Sequence, residues 1–412
     1  MRLFYTLTRF FYLIKLLGEA VSGKSAFFYK GIKKYDLIIF DDLFPHPISG
    51  FRLEEITVLL TTIPKSKVIA EASSYPIMNT HRALHAHHVK DYIEEHSEIR
   101  EKIKFNRGFV NLNTKLFYCI FINNIFSFID ILEKNKTPFV FTLYPGGGFR
   151  MNNKESDRKL NRVLGSPMFR KVIVTQKITK DYLVANAFCL EEKIEFIFGC
   201  VVPQISLEKN SLEKKTYPLF KDTLDIGFCA GKYMPKGLDK GYDVFIELAH
   251  LLSAKYKFVN FHIIGGFDEN DIDITKIKDN VTFYGYRPFE ELQYFFSYID
   301  ILVSPNKSFV LNEGSFDGFP LGTVIEAALN GVLAVVTDDL KQNSIFINNK
   351  HLLIVESNSS KIENAITYLI NNPDKFADIS INGKSKFQEV YSNSFQMNPR
   401  VKLLTKLIQE HK

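Results

Sequence analysis

Two carboxylates, Asp317 and Glu326, bracket the stretch Phe316-Asp317-Gly318-Phe319-Pro320-Leu321-Gly322-Thr323-Val324-Ile325-Glu326-Ala327-Ala328. A glycine- and proline-rich loop that runs into an apolar helical segment offers free backbone N–H groups and the positive end of a helix dipole. That combination suits a phosphate, held by main-chain groups around Gly318, Phe319, Leu321, Gly322 and Thr323. Pro320 has no N–H to give, which moves the phosphate contacts to the residues after it. A carboxylate accepts from paired hydroxyls, so Glu326 fits a ribose or hexose diol. It fits equally a glutamate at the rim of a buried helix, held by an N–H or a lysine.

A second loop, Ala230-Gly231-Lys232-Tyr233-Met234-Pro235-Lys236-Gly237-Leu238-Asp239-Lys240-Gly241, sets three lysines among three glycines. Mobile ammonium groups beside permissive backbone can hold a diphosphate; the plain alternative is a solvated lysine-rich turn. The chain has no G-x-G-x-x-G after its first strand, which counts against a dinucleotide enzyme. His81, His85, His87 and His88 raise the question of a metal, since 81, 85 and 88 would share a helical face. No cysteine or compact carboxylate set completes a site there, so these histidines read as a polar helix face near the cleft, and no metal site is assigned.

Elements able to position such loops are legible around them. Short apolar runs alternate with longer stretches of helical period, as in parallel sheets covered by helices. The first half carries expected strands at Asp36–Phe40, Lys67–Glu71, Pro138–Thr142, Val172–Thr175 and Ile194–Phe198. The second carries Asp225–Cys229, Asn260–Ile264, Val281–Phe283, Ile301–Ser304, Leu333–Val336 and Leu352–Val355. A linker fits 206–222, where Pro218 adjoins the polar run Glu208–Lys215. The expected organisation is therefore an N-terminal domain at 1–205, the linker, a C-terminal domain at 223–382, and a helical segment at 383–412 broken near Asn398-Pro399 and returning toward the first domain. In doubly wound sheets, ligands bind beyond the C-terminal ends of strands, which is where both loops fall.

The 412 residues suit two domains, and 46% hydrophobic with 24% charged residues leaves material for two cores. Four scattered cysteines, Cys119, Cys189, Cys200 and Cys229, fit a reducing compartment; no apolar run approaches the roughly 18 residues that span a bilayer. A net charge of +6 is modest for this length and does not argue for nucleic acid. Its distribution is uneven: through residue 34, Arg2, Arg9, Lys15, Lys24, Lys30, Lys33 and Lys34 face one acid, Glu19, and are interleaved with Phe4, Tyr5, Phe10, Phe11 and Tyr12. Residues 1–34 suit either an anionic membrane surface or a first helix packed on the N-terminal domain with its lysines solvated.

From Asp225 to about Asp339 the order of features resembles the donor-binding half of the retaining glycosyltransferases of family 4, the group 1 transferases of GT-B fold. The resemblance rests on Gly231-Lys232 and Lys240-Gly241, Ile263-Ile264-Gly265-Gly266, Val281–Tyr286 followed by Glu290-Glu291-Leu292, Asp300–Pro305, and the two-acid motif at Asp317 and Glu326. It implies an α/β architecture of two doubly wound Rossmann-like domains facing across a cleft. It implies a nucleotide-diphosphate sugar as donor substrate with no separate cofactor, a glycan or lipid-linked acceptor, retention of configuration and no divalent metal.

By position, Lys232 and Lys240, with Lys236 as a possible substitute for either, would neutralise the diphosphate beside Gly231 and Gly241. Asp317 would accept from the transferred sugar and Glu326 from the ribose. Gly285, Tyr286 and Arg287 would meet the nucleobase. Asp stands where the family has Glu, and one extra residue separates it from Glu326. In the N-terminal half, Phe44–Phe51, with Gly50, sits where the family often has a glycine loop near the phosphate. Tyr144 stands where many members have histidine, and Gly147 lies in a triple-glycine turn that fits backbone approach to a ligand or simply a tight turn. The expected setting is cytoplasmic, at the inner face of a bacterial membrane, in surface-polysaccharide synthesis. A non-hydrolysing nucleotide-sugar epimerase and a catalytically silent sugar-binding GT-B subunit are the rival readings.

Overall fold

The structure, a computed structural model, describes residues 19, 21, 25–78, 80–208, 214, 216–287 and 289–410. Nearly all of the Met1–Val21 segment and most of the polar linker run therefore lie outside the described residues. In chain order the strands are β1 Ala26–Tyr29, β2 Tyr35–Asp41, β3 Ser66–Ala70, β4 Ile103–Phe105, β5 Gly108–Asn111, β6 Thr114–Ile120, β7 Phe139–Leu143, β8 Phe169–Val174 and β9 Ile194–Phe196. The second half adds β10 Leu224–Cys229, β11 Val259–Ile264, β12 Val281–Gly285, β13 Ile301–Ser304, β14 Leu333–Val336 and β15 Leu353–Ile354.

Strands β2 to β4 and β6 to β9 form a parallel sheet in the order β4-β3-β2-β6-β7-β8-β9, and β10 to β15 a second in the order β12-β11-β10-β13-β14-β15. Their central strands, such as LIIF in β2 and IGF in β10, are buried throughout because helices cover both faces. Apolar side chains above and below each sheet make the two cores. A two-stranded parallel ribbon, β1 with β5, packs beside the first sheet through Phe28 against Phe128.

Strand order reverses direction between β2 and β6 in one sheet and between β10 and β13 in the other. At such a point the loops leaving adjacent strands diverge and open a crevice beyond the strand ends. The lysine loop follows β10 and the Asp317 loop follows β13, so the switch point brings together two segments more than sixty residues apart.

Two expectations are corrected. Central strand β6 was not anticipated: its residues run straight into the apolar helix Ile122–Lys134, and periodicity alone does not divide such a run. The division falls at Phe121, whose φ of 73° breaks the strand before the helix. The break expected at Asn398-Pro399 is also absent. Pro399 lies inside the helix Asn393–Glu410, and the interruption is at Ser392, whose Oγ accepts from the Phe395 N–H at 3.3 Å. Met397, Leu404, Leu407 and Ile408 bury into the N-terminal core beside Ile56 and Leu59. Four such side chains outweigh a proline penalty of ~3 kcal/mol.

That last helix is also fixed by a buried polar network. Glu55 accepts from Tyr118 and, at 3.0 Å, from Tyr144; Arg400 Nε lies 3.8 Å from Glu55, and its Nη2 donates to Tyr144 at 3.3 Å. Gln396 donates to the carbonyls of Phe198 and Val390. No helix among the described residues is long and apolar enough to cross a membrane.

Candidate active site

The centre of the switch point is an ion pair. Lys240 Nζ lies 2.6 Å from Asp317 Oδ2, and Asn306 Nδ2 donates to the same oxygen at 2.8 Å. Lys240 is buried, 7% exposed at the side chain, whereas Asp317 is 38% exposed and faces the cleft. Tyr233 lies against the lysine with its ring centre 5.2 Å from Nζ. Asp239 is buried with its carboxylate 3.9 Å from Nζ; burial raises its pKa, opposed by Lys240 and reinforced by Asp317.

Backbone geometry allows the two loops to touch. Gly241 has φ 67°, and a Cβ there would stand 2.1 Å from the Pro305 carbonyl oxygen, so only glycine lets the end of the lysine loop close on the segment after β13. Asn306 is held in turn by Ser304 Oγ at 2.9 Å and by Thr337 on its carbonyl at 2.6 Å.

Helix Gly322–Leu329 points its N-terminus at this place. Gly322 is exposed with nothing within 4 Å of where its Cβ would be, leaving the first turn open. Thr323 Oγ1 donates to the Cys229 carbonyl at 3.0 Å and anchors the helix start to the end of β10. Phe319 is buried in the core beneath, and Leu321 is half-buried. Gly318 approaches Gln176 of the N-terminal domain, whose Nε2 donates to the Phe319 carbonyl at 3.4 Å.

The other residues singled out by sequence fall at different distances from this centre. Lys232 carries its ammonium to Asp271, 2.5 Å away, and Lys236 is exposed at φ 57°. Gly231 abuts the Tyr233 ring. Tyr286 is exposed and accepts from the Lys232 backbone N–H at 3.4 Å, while Gly285 accepts from the Gly265 N–H at 3.0 Å; Arg287 pairs with Glu291 at 3.0 Å.

Glu326 has both oxygens occupied. Ser206 of the linker donates to one at 3.0 Å and Gln293 to the other at 3.3 Å. Burial pushes its pKa up to about 7 against the pull of these two donors. Neither Lys240 nor Asp317 is among its partners, so the structure does not bring the two acids of the motif to one point.

On the N-terminal side of the cleft, Gly147 packs against Phe121 and Gly50 against Pro203. The triple-glycine loop leads to Met151, whose N–H donates to the Gly314 carbonyl at 2.9 Å across the domains. At the end of β2, buried Arg52 donates to Asp41 at 2.9 Å and to Asp42 at 2.6 Å, and Ser74 and Asn124 also donate to Asp42. The histidines are dispersed: His85 is buried on the Phe44 carbonyl at 3.0 Å, His88 meets Tyr75 Oη at 3.1 Å, His87 reaches Asp91 at 3.4 Å, and His81 precedes the helix His85–Glu95.

Sequence reasoning passed over Asn306, Tyr233, Asp271, Ser206 and Gln293. Asn306, just after the Ser304-Pro305 strand end, and Tyr233, inside the lysine loop, stand where the same reasoning would have found them. The partners of Lys232 and Glu326 come from distant segments and carried no local signal.

The family model for Glycosyl transferases group 1 matches residues 231–386. No curated protein matches the chain by sequence. Among solved structures, Anabaena Alr3699/HepE in complex with UDP and glucose is 14% identical over 92% of this chain and 98% of that one, with a TM-score of 0.60. A glycosyltransferase from Rickettsia africae is 15% identical over 92% and 99%, with a TM-score of 0.57. S. aureus TarM is 19% identical over 71% of this chain with a TM-score of 0.53, and the match spans 55% of the TarM chain. Two Rossmann-like parallel sheets with these neighbours give the chain the GT-B fold, and its residues 231–386 match the glycosyl transferases group 1 model.

Proposed function

We propose that the chain is a retaining glycosyltransferase of the family 4 type that moves a sugar from a nucleoside-diphosphate sugar to a glycan or lipid-linked acceptor. Its setting in this reading is bacterial surface-polysaccharide synthesis at the inner face of the membrane, with residues 1–34 toward anionic lipid. The observation that carries the proposal is the Lys240–Asp317 pair at the switch point, beside the open N-terminus of helix Gly322–Leu329. A buried cation and free N–H groups make a diphosphate site. A half-exposed carboxylate one residue-length away makes a hydroxyl site.

The donor separates that pair. Its diphosphate takes Lys240, and Asp317 then accepts from hydroxyls of the transferred sugar. Charge growing on the leaving diphosphate is stabilised by Lys240 and the helix N-terminus, which act by positioning and electrostatics. No protein general base and no metal is assigned a step; retention follows if leaving-group oxygen removes the acceptor proton on the same face. The UDP and glucose named with the Anabaena structure support this reading of the fold's cleft.

A thermal-shift screen of nucleotide sugars and free nucleoside diphosphates tests the proposal. A ligand at about 100 times its Kd should stabilise the chain by ~2.7 kcal/mol. Turnover must then give free nucleoside diphosphate with a glycosylated acceptor. An isomerised donor would instead mark an epimerase, and binding without turnover a silent subunit.

A further inference from the structure

We propose that the flank of the N-terminal domain formed by β1, β5 and residues 30–34 is a docking surface for an anionic lipid membrane. The proposal rests on the membrane reading of residues 1–34 and gives it a defined place on the fold.

Ile32 is the most exposed apolar residue described, at 103%, and stands among Lys30, Lys33 and Lys34. The loop that presents it is tied down. Gly31 N–H donates to Asn111 Oδ1 at 2.8 Å, Asn111 Nδ2 to the Lys33 carbonyl at 2.7 Å, and Asn113 Nδ2 to the Gly31 carbonyl at 2.7 Å. Holding an isoleucine in water at a fixed loop tip gains the fold nothing. Tyr29 and Phe109, 42% and 46% exposed, lie on the adjoining ribbon.

The charges on this flank repel each other. Lys33 and Lys67 lie over the Tyr35 ring at 5.2 and 4.5 Å, and Lys67 donates to the Asn111 carbonyl at 3.0 Å. Burial, then Lys104 and Lys33, push the Lys67 ammonium down to about 8. Lys33, Lys34 and Lys104 form no ion pair among the described residues. An anionic surface relieves this crowding, and a headgroup region accepts an isoleucine flanked by aromatic rings. A nucleic-acid backbone would satisfy the lysines and leave Ile32 in water, so charge and apolarity together favour lipid.

Residues 30–34 lead into the start of β2 and lie beside Asn113 at the start of β6. The cleft opens at the opposite ends of these strands, so docking leaves the donor site free.

Sedimentation of the full chain with vesicles of phosphatidylcholine containing phosphatidylglycerol, against phosphatidylcholine alone, tests the inference. The wild type should bind the anionic vesicles and be released by salt. Lys33→Glu with Lys34→Glu should lower the partition on the order of tenfold or more, and Ile32→Ser severalfold. Melting temperature and nucleoside diphosphate affinity should be unchanged in both. If the wild type ignores anionic vesicles, the membrane reading itself falls. If both face variants bind as well as wild type while deletion of residues 1–21 abolishes binding, the contact belongs to that segment and this surface is wrong. Binding to duplex DNA in place of vesicles would also overturn it.

Discussion

Replacing Glu326 with glutamine removes a buried acid while keeping its size; its one carbonyl oxygen can accept from Gln293, and its amide NH2 can donate to the Ser206 hydroxyl in place of the bond Ser206 gives the carboxylate. In the folded chain this carboxyl is pushed up to about 7 from its ordinary 4.5, because burial disfavours its charge. A folded pKa raised above the unfolded one means that the stabilising effect is complete below pH 4.5 and is lost as pH rises through 7. The full loss is ~3 kcal/mol at 1.36 kcal/mol per pH unit. Urea denaturation of both proteins from pH 4.5 to 8 measures it. Wild-type stability should fall relative to Glu326→Gln across that window, so that the variant is the more stable protein at pH 8. Parallel curves would show that Glu326 is solvated in solution and that the Ser206 contact does not hold it. Nucleoside diphosphate affinity at pH 8 separates a second question. If Glu326 also accepts from a ribose, the variant binds the nucleotide more weakly despite its greater stability.

Lys240→Ala should weaken nucleotide sugar and free nucleoside diphosphate alike by roughly 1.5–3 kcal/mol, read by calorimetry; unchanged diphosphate affinity rejects the assignment. Asp317→Asn should act mainly on kcat, since contacts to the transferred sugar tighten as charge develops at the anomeric carbon; intact turnover would move the role to another acid, with exposed Glu313 of the same loop next in line. Arg400→Met should cost ~3–5 kcal/mol by stranding fully buried Glu55, and adding Glu55→Gln should recover much of it, as measured by denaturation.

The sequence by itself determined the fold class and the loops of the donor half. Strands β10 to β14 are short runs of β-branched and apolar residues bounded by glycine, proline or charge, a local pattern that burial on both faces imposes. The loops that follow them carry Lys240, Asp317 and Gly322 at the ends where ligands gather, and each was legible because its chemistry is contained in a few adjacent residues. Tertiary structure alone decided which side chains meet. Lys240 finds Asp317 and Asn306 because the strand order places β10 beside β13, and no local pattern encodes that adjacency. Lys232 and Lys240, similar in the sequence, diverge because one faces Asp271 and the other the switch point. Glu326, read as a hydroxyl acceptor, lies on Ser206 and Gln293 because the linker returns across its helix. Pro399 reads as a helix breaker, yet the helix runs through it, since the energy that decides the matter comes from side chains buried against a domain more than three hundred residues earlier. Local propensity is written in neighbouring residues, whereas partner choice and burial are set by the packing of distant ones.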